Sequence, residues 1–164
     1  MSDALAYLAD ELAELREQKL FRYPKVLTGQ QQARAVFDGR EVINLSSNNY
    51  LGLATHPRMI AAAAGAAQEF GAGSGAVRTI AGTMDIHVEL EKKIAAFKHT
   101  EAALVFQSGF TANAGTVAAV LGKDDMIISD ELNHASIIDG CRLSRAGIRV
   151  FQHGDIDGLR KLLD

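Results

Sequence analysis

The chain has 164 residues with 17 basic and 20 acidic side chains, a formal net charge of −3 and 48% hydrophobic residues. That is enough chain for one domain with a real core, and the balance gives no global pull toward nucleic acid or an anionic membrane. The single cysteine, Cys141, leaves no partner for an intramolecular disulfide and supports no metal cluster, which fits a reducing, cytoplasmic setting. The start, Met1-Ser2-Asp3-Ala4-Leu5, lacks the basic end and apolar run of a signal peptide. The apolar stretch Ile60 to Ala67 is mostly alanine and too short to span a bilayer.

Leu5, Leu8, Leu12 and Leu15 recur at helical spacing and predict an amphipathic helix from Asp3 to about Leu20, stopped by Tyr23-Pro24. Ala35-Val36-Phe37 and Glu41 to Leu45 flank Asp38-Gly39, a strong two-residue hairpin signal. His56-Pro57 suits a helix start, and that helix is expected to reach Phe70. The glycines of Gly71-Ala72-Gly73-Ser74-Gly75 break the chain. The segment Ala76 to Thr83 then reads as extended, with Thr83 capping a helix that carries Leu90, Ile94 and Phe97. From Ala102 onward strands and helices alternate: strand 102–106, helix 111–121, strand 126–129, helix 135–145, strand 148–151 and helix 155–163. This alternation predicts an α/β fold with a parallel, right-handed βαβ sheet. Three parallel strands with nothing following would leave an open edge, so exposed apolar faces and self-association are expected.

Two turns carry the chemistry. Strand 102–106 runs into Ser108-Gly109-Phe110-Thr111-Ala112-Asn113, and strand 126–129 runs into Asp130-Glu131-Leu132-Asn133-His134-Ala135-Ser136. Each delivers a small polar turn to a helix start, where unpaired N–H groups and the helix dipole attract a phosphate. In a parallel sheet such turns share one crevice. An ordinary strand-to-helix turn is the competing reading. A doubly wound nucleotide-binding module without chemistry is another, although no G-x-G-x-x-G follows a strand and no Walker-type lysine follows a glycine turn.

The motifs in order resemble one family. They are Asn44 to Leu53, Gly71 to Gly75, Arg78 to Thr83, His87-Val88-Glu89-Leu90-Glu91, Ser108 to Asn113, and Ser129 to Gly140. Together they are similar to the α-oxoamine synthases, pyridoxal-phosphate enzymes of the aspartate-aminotransferase fold type. The resemblance implies an N-terminal arm over 1–55 and the first part of the cofactor-binding large domain over 56–164, ahead of the Schiff-base lysine. Within the family, Ala76 to Thr83 and Leu132 to Gly140 resemble the glycine C-acetyltransferase branch. That branch condenses glycine with acetyl-CoA to give 2-amino-3-oxobutanoate and CoA. The 8-amino-7-oxononanoate synthase branch, using alanine and a pimeloyl thioester, is the alternative. Valine at 77, where the 5-aminolevulinate synthases typically carry a threonine, points to a short apolar acyl group.

The resemblance also implies residue roles. Gly109 and Phe110 match the phosphate-binding pair, and His134 matches the histidine that stacks on the cofactor ring and contacts substrate. A helix-start histidine satisfied by solvent or backbone is the other reading of His134. Asn48 matches an asparagine on the substrate side, or else serves its own turn. Ser74, Gly75 and Val77 match the acyl entrance at a homodimer interface. Arg22 and Arg78 are candidates for anionic CoA or carboxylate groups, or are solvated. Asn113 is expected to pack or bond locally on its helix, and Cys141 to be a small buried hydrophobe. None of Lys19, Lys25, Lys92, Lys93, Lys98, Lys123 and Lys161 sits in the family's lysine motif. The chain is therefore expected to be inactive alone, as a truncation, one half of a split enzyme, or a non-catalytic relic.

Overall fold

A computed structural model describes residues 4–163, which form two compact units dividing between Ser74 and Gly75. The first unit opens with α1 (Ala6–Glu17). The expected helix start at Asp3 lies outside the described residues. Helix α1 ends earlier than predicted, because Lys19 turns left-handed at φ 58° and the N–H groups of Leu20 and Phe21 both return to the Leu15 carbonyl. The leucine stripe is present, but its members remain 39–60% exposed.

Strands β1 (Leu27–Thr28), β2 (Arg34–Phe37) and β3 (Arg40–Ile43) form an antiparallel sheet in that order. The Asp38-Gly39 hairpin is where the sequence places it. Both residues have positive φ, 49° and 77°, as a type I′ turn requires. Strand β1 was not expected. The turn residue itself holds it, since Asp38 Oδ1 accepts from Val26 N–H at 3.0 Å and Asp38 N–H donates to the Val26 carbonyl. Helix α2 (Pro57–Phe70) follows, with proline in its first turn and the His56 ring accepting from Arg58 N–H at 3.2 Å. Gly71, at φ 83°, ends it.

The second unit corrects two expectations. Ala76 to Thr83 is not extended. The Val77 carbonyl accepts from Ile80 N–H (3.1 Å) and Gly82 N–H (2.9 Å), closing a turn. Gly82 passes so close that a Cβ there would lie 2.0 Å from the Ala76 carbonyl oxygen. The segment 102–106 is not a ladder strand either. At Val105 both backbone groups are taken by side chains: N–H donates to Glu91 Oε1 at 3.0 Å, and the carbonyl accepts from Arg78 Nη1 at 3.4 Å. Arg78 Nη2 pairs with the same Glu91 oxygen at 3.0 Å, and Arg78 Nε donates to Thr83 Oγ1. One ion pair thus ties turn, helix and loop together. It also explains why Thr83 does not cap α3 (Asp85–Lys98), for its hydroxyl donates to the Arg78 carbonyl. His87 takes over at that helix start, with Nδ1 accepting from Met84 N–H at 3.0 Å.

The remaining elements follow the sequence reading: α4 (Gly109–Val120), β4 (Met126–Asp130), α5 (Ala135–Leu143), β5 (Gly147–Phe151) and α6 (Ile156–Leu163). β4 and β5 pair in parallel, from Met126 opposite Gly147 to Asp130 opposite Phe151, with α5 as the crossover. The α/β class and the parallel sheet stand, with two parallel strands among the described residues rather than three. Helices α4 and α5 make the closest contact of this unit. At Gly140 of α5 an added Cβ would sit 2.8 Å from the Asn113 carbonyl oxygen and 3.3 Å from Ala114 Cα. Ser136, Gly140 and Cys141 are buried along this face.

Two outcomes follow. Gly140→Ala forces the α4–α5 crossing apart and should cost about 1–3 kcal/mol, the range for overpacking, seen as a lower midpoint in denaturant unfolding. Glu91 is held below its ordinary value of 4.5, chiefly by the Val105 N–H and then by Arg78. Its contribution to stability is therefore complete above that value and is lost as pH falls through the lowered folded value. Thermal melts at stepped pH should show Glu91→Gln with a flatter acid limb than the parent.

Candidate active site

The first turn of α4 is built to leave donors facing outward. Ser108 caps the helix, its Oγ accepting from Thr111 N–H at 3.1 Å and lying 2.9 Å from Thr111 Oγ1. Ala112 N–H donates to the Ser108 carbonyl. Gly109 and Phe110 N–H have no such partner among the described residues, and a Cβ on Gly109 would meet open space. The two residues singled out from sequence are thus the two whose amides remain available. The Phe110 ring is exposed. An open, unpaired pair of N–H groups at the positive end of a helix suits an oxyanion.

His134 stands at the start of α5. Its Nδ1 accepts from Ser136 N–H at 3.1 Å and lies 2.7 Å from Ser136 Oγ. The ring is therefore a helix cap through Nδ1 and keeps Nε2 outward. Asn113 does not bond within its own helix as expected. Its Nδ2 crosses from α4 to donate to Ser136 Oγ at 2.9 Å. That bond sets the first turn of α4, with Gly109 and Phe110, beside the first turn of α5, with His134. Ser136 and Asn113 were not identified as site residues from sequence. The only sequence signal for either is position: Ser136 lies two residues past the cap, and Asn113 one helical turn past Gly109.

Asp130, at the end of β4, is pinned by its turn. Its Oδ1 accepts from Leu132 N–H at 2.8 Å and its Oδ2 pairs with His153 Nδ1 at 2.9 Å. These hold its carboxyl below the usual range, the backbone bond more than the histidine. Asn133 Nδ2 donates to Ser129 Oγ, completing a rigid approach to His134. Val77 uses its carbonyl to close the Gly82 turn and leaves its side chain 60% exposed. Arg78 is a structural clamp, as described above, so its candidacy for an anionic ligand is withdrawn.

In the first unit, the adjacent asparagines divide their labour. Asn49 is folded in, with Nδ2 on the Gln31 carbonyl (3.2 Å) and Oδ1 accepting from Ala54 N–H (3.1 Å). Asn48 is exposed and meets only the Tyr50 hydroxyl at 3.4 Å, so its amide is presented outward. Arg22 is exposed beside Phe21 and Tyr23, whose rings pack edge to face with centroids 4.6 Å apart. The other histidines are local: His56 and His87 cap helices and His99 ends α3 in a left-handed turn. Cys141 is buried. Among the described residues no group of acidic, histidine or cysteine side chains could hold a metal ion, and no helix is long and apolar enough to cross a membrane.

Residues 40–164 match the family Aminotransferase class I and II. The 8-amino-7-oxononanoate synthase of Symbiobacterium thermophilum is 58% identical over 157 residues, covering 96% of this chain and 40% of that protein. An 8-amino-7-oxononanoate synthase of Bacillus subtilis is 52% identical over 163 residues, covering 99% of this chain and 42% of that protein. Among solved structures, a serine palmitoyltransferase of S. paucimobilis with bound PLP and myriocin superposes with a TM-score of 0.86 at 33% identity, covering 98% of this chain and 42% of that one. The chain belongs to the aminotransferase class I and II family, and within it to the PLP-dependent α-oxoamine synthases. It spans about 40% of the length of these curated relatives. They carry the name held above as the alternative, 8-amino-7-oxononanoate synthase, and do not support the glycine C-acetyltransferase branch. The Ala76 to Thr83 run that suggested glycine is shaped by the Arg78–Glu91 clamp, so it reports a turn more than an acyl group.

Ser108→Ala removes the cap that orders the first turn of α4. It should cost roughly 0.5–2 kcal/mol, read as a lower midpoint in urea unfolding.

Proposed function

We propose that this chain forms part of a PLP-dependent acyltransferase that joins alanine to a pimeloyl thioester, giving 8-amino-7-oxononanoate. The single observation that carries the reading is 58% identity over 96% of the chain to a synthase of that name. The product has nine chain carbons, one fewer than a seven-carbon acyl group plus alanine. The amino acid therefore loses its carboxyl as carbon dioxide while the thiol leaves the acyl carbon. Pyridoxal phosphate, when bound, supplies an electron sink for the charge left on the amino acid α-carbon.

The chain's own residues fit that group. Gly109 and Phe110 offer two N–H donors at an open helix start for the phosphate. His134 offers a flat ring for the cofactor face, and its Nε2 N–H is a donor for substrate oxygen. The outward amide of Asn48 can hold a carboxylate or carbonyl of the amino acid, and Arg22 an anionic group of the acyl donor. Val77 lines the acyl entrance with an apolar surface. The whole enzyme works as a homodimer in the cytoplasm.

The test uses the full-length protein, with thiol release and product mass as readouts. Alanine with pimeloyl-CoA should exceed glycine with acetyl-CoA in kcat/KM by at least about tenfold, a difference near 1.4 kcal/mol in transition-state binding. A preference for glycine and acetyl-CoA would overturn this substrate assignment. His134→Ala should lower kcat/KM by roughly a hundredfold or more, and Gly109→Val should weaken cofactor affinity.

A further inference from the structure

We propose that Asn113 and Ser136 form a hydrogen-bond relay that holds His134 in one tautomer, with the proton on Nε2. The relay rests on the reading of His134 as the cofactor-facing histidine, and it makes Asn113 and Ser136 positioning residues for it. The starting point is a donor that cannot rearrange. Ser136 N–H is backbone, and it meets His134 Nδ1 at 3.1 Å. Nδ1 accepts there, which favours the neutral tautomer with its proton on Nε2.

The hydroxyl follows from this. Ser136 Oγ lies 2.7 Å from the same Nδ1, a lone pair that can only accept, so the single hydroxyl proton points to the ring. The oxygen then needs a donor of its own, because Ser136 is only 3% exposed. Asn113 Nδ2 supplies it at 2.9 Å from the neighbouring helix. Every donor is matched to an acceptor in one direction: amide to hydroxyl, hydroxyl to imidazole. Gly140 makes the span possible, since only a residue without Cβ lets α5 approach the Asn113 backbone this closely. The relay leaves Nε2–H as a fixed donor on the outward side of the ring. With the backbone donor alone the tautomer is held less firmly, and Nε2 presents an acceptor part of the time.

The direction of the relay can be reversed chemically. In Asn113→Asp the carboxylate accepts the Ser136 proton, which leaves Oγ lone pairs against Nδ1 and favours a proton on Nδ1. Asn113→Leu removes the amide donor but offers no acceptor, so it should disturb the tautomer less. Asn113→Asp is the closer to asparagine in shape, so a purely structural role would make Asn113→Leu the more disturbed of the two, the reverse of the order expected here. The measurement is long-range proton–nitrogen NMR on the full-length protein labelled in histidine, with His134→Gln to assign the signal. The parent should show an unprotonated Nδ1 and a protonated Nε2. Asn113→Asp should move the Nδ1 resonance toward the protonated position, with Asn113→Leu between it and the parent. Ser136→Ala keeps the backbone donor and loses the hydroxyl, so it should give a partial shift toward a protonated Nδ1, smaller than that of Asn113→Asp.

A protonated Nδ1 in the parent, or identical spectra for the parent and the Asn113→Asp and Ser136→Ala variants, would overturn the relay. Titration with pyridoxal phosphate separates the two readings. If the tautomer behaves as described but the cofactor leaves the His134 Nε2 signal unmoved, the relay stands and the assignment of His134 to the cofactor falls.

Discussion

The candidate site depends on one close crossing, that of α4 and α5. Backbone meets backbone where Gly140 lies over Asn113 and Ala114. Two helices that near each other leave no room for water between them, so polar groups in the seam must satisfy one another. The bond from Asn113, one turn into α4, to Ser136, in the first turn of α5, does this. The same contact that removes a methyl's worth of space therefore links α4 to the helix start that His134 caps.

A second constraint works at a distance from that seam. The Arg78–Glu91 pair occupies both backbone groups of Val105 as well as each other. A partly buried ion pair contributes little when counted as two charges alone, because each loses water on burial. Here each charge also answers neutral backbone groups, so the desolvated atoms are all matched. The result is a shaped loop leading into Ser108 and the start of α4, in place of a regular strand.

Division of labour between neighbours recurs through the molecule. Asn49 braces the loop while Asn48 faces outward. Ser108 feeds Thr111 and Ala112, which leaves Gly109 and Phe110 free to face a ligand. His134 caps its helix through one nitrogen and keeps the other available. In each case a structural bond to one atom sets the orientation of the next. The family is that of PLP-dependent enzymes, and the relatives the chain matches are named 8-amino-7-oxononanoate synthases.

Local order was legible in the sequence wherever local forces decide it. The Asp38-Gly39 turn needs positive φ, Pro57 starts a helix, and the alternation after Met126 marks a βαβ unit; all three appear where the residues put them. The helix starts at Gly109 and Ala135 were legible for the same reason, because caps and small turns are short-range features. What sequence could not decide were partners far along the chain. Val77, Thr79 and Ile80 favour extended backbone, yet Glu91 draws Arg78 into a turn. Ala102 to Phe106 has strand composition, yet side chains take the hydrogen bonds that a ladder would use. Asn113 gives no local sign that it reaches another helix. Those outcomes belong to the tertiary structure, because a hydrogen bond between distant residues forms only once packing has brought its two ends together.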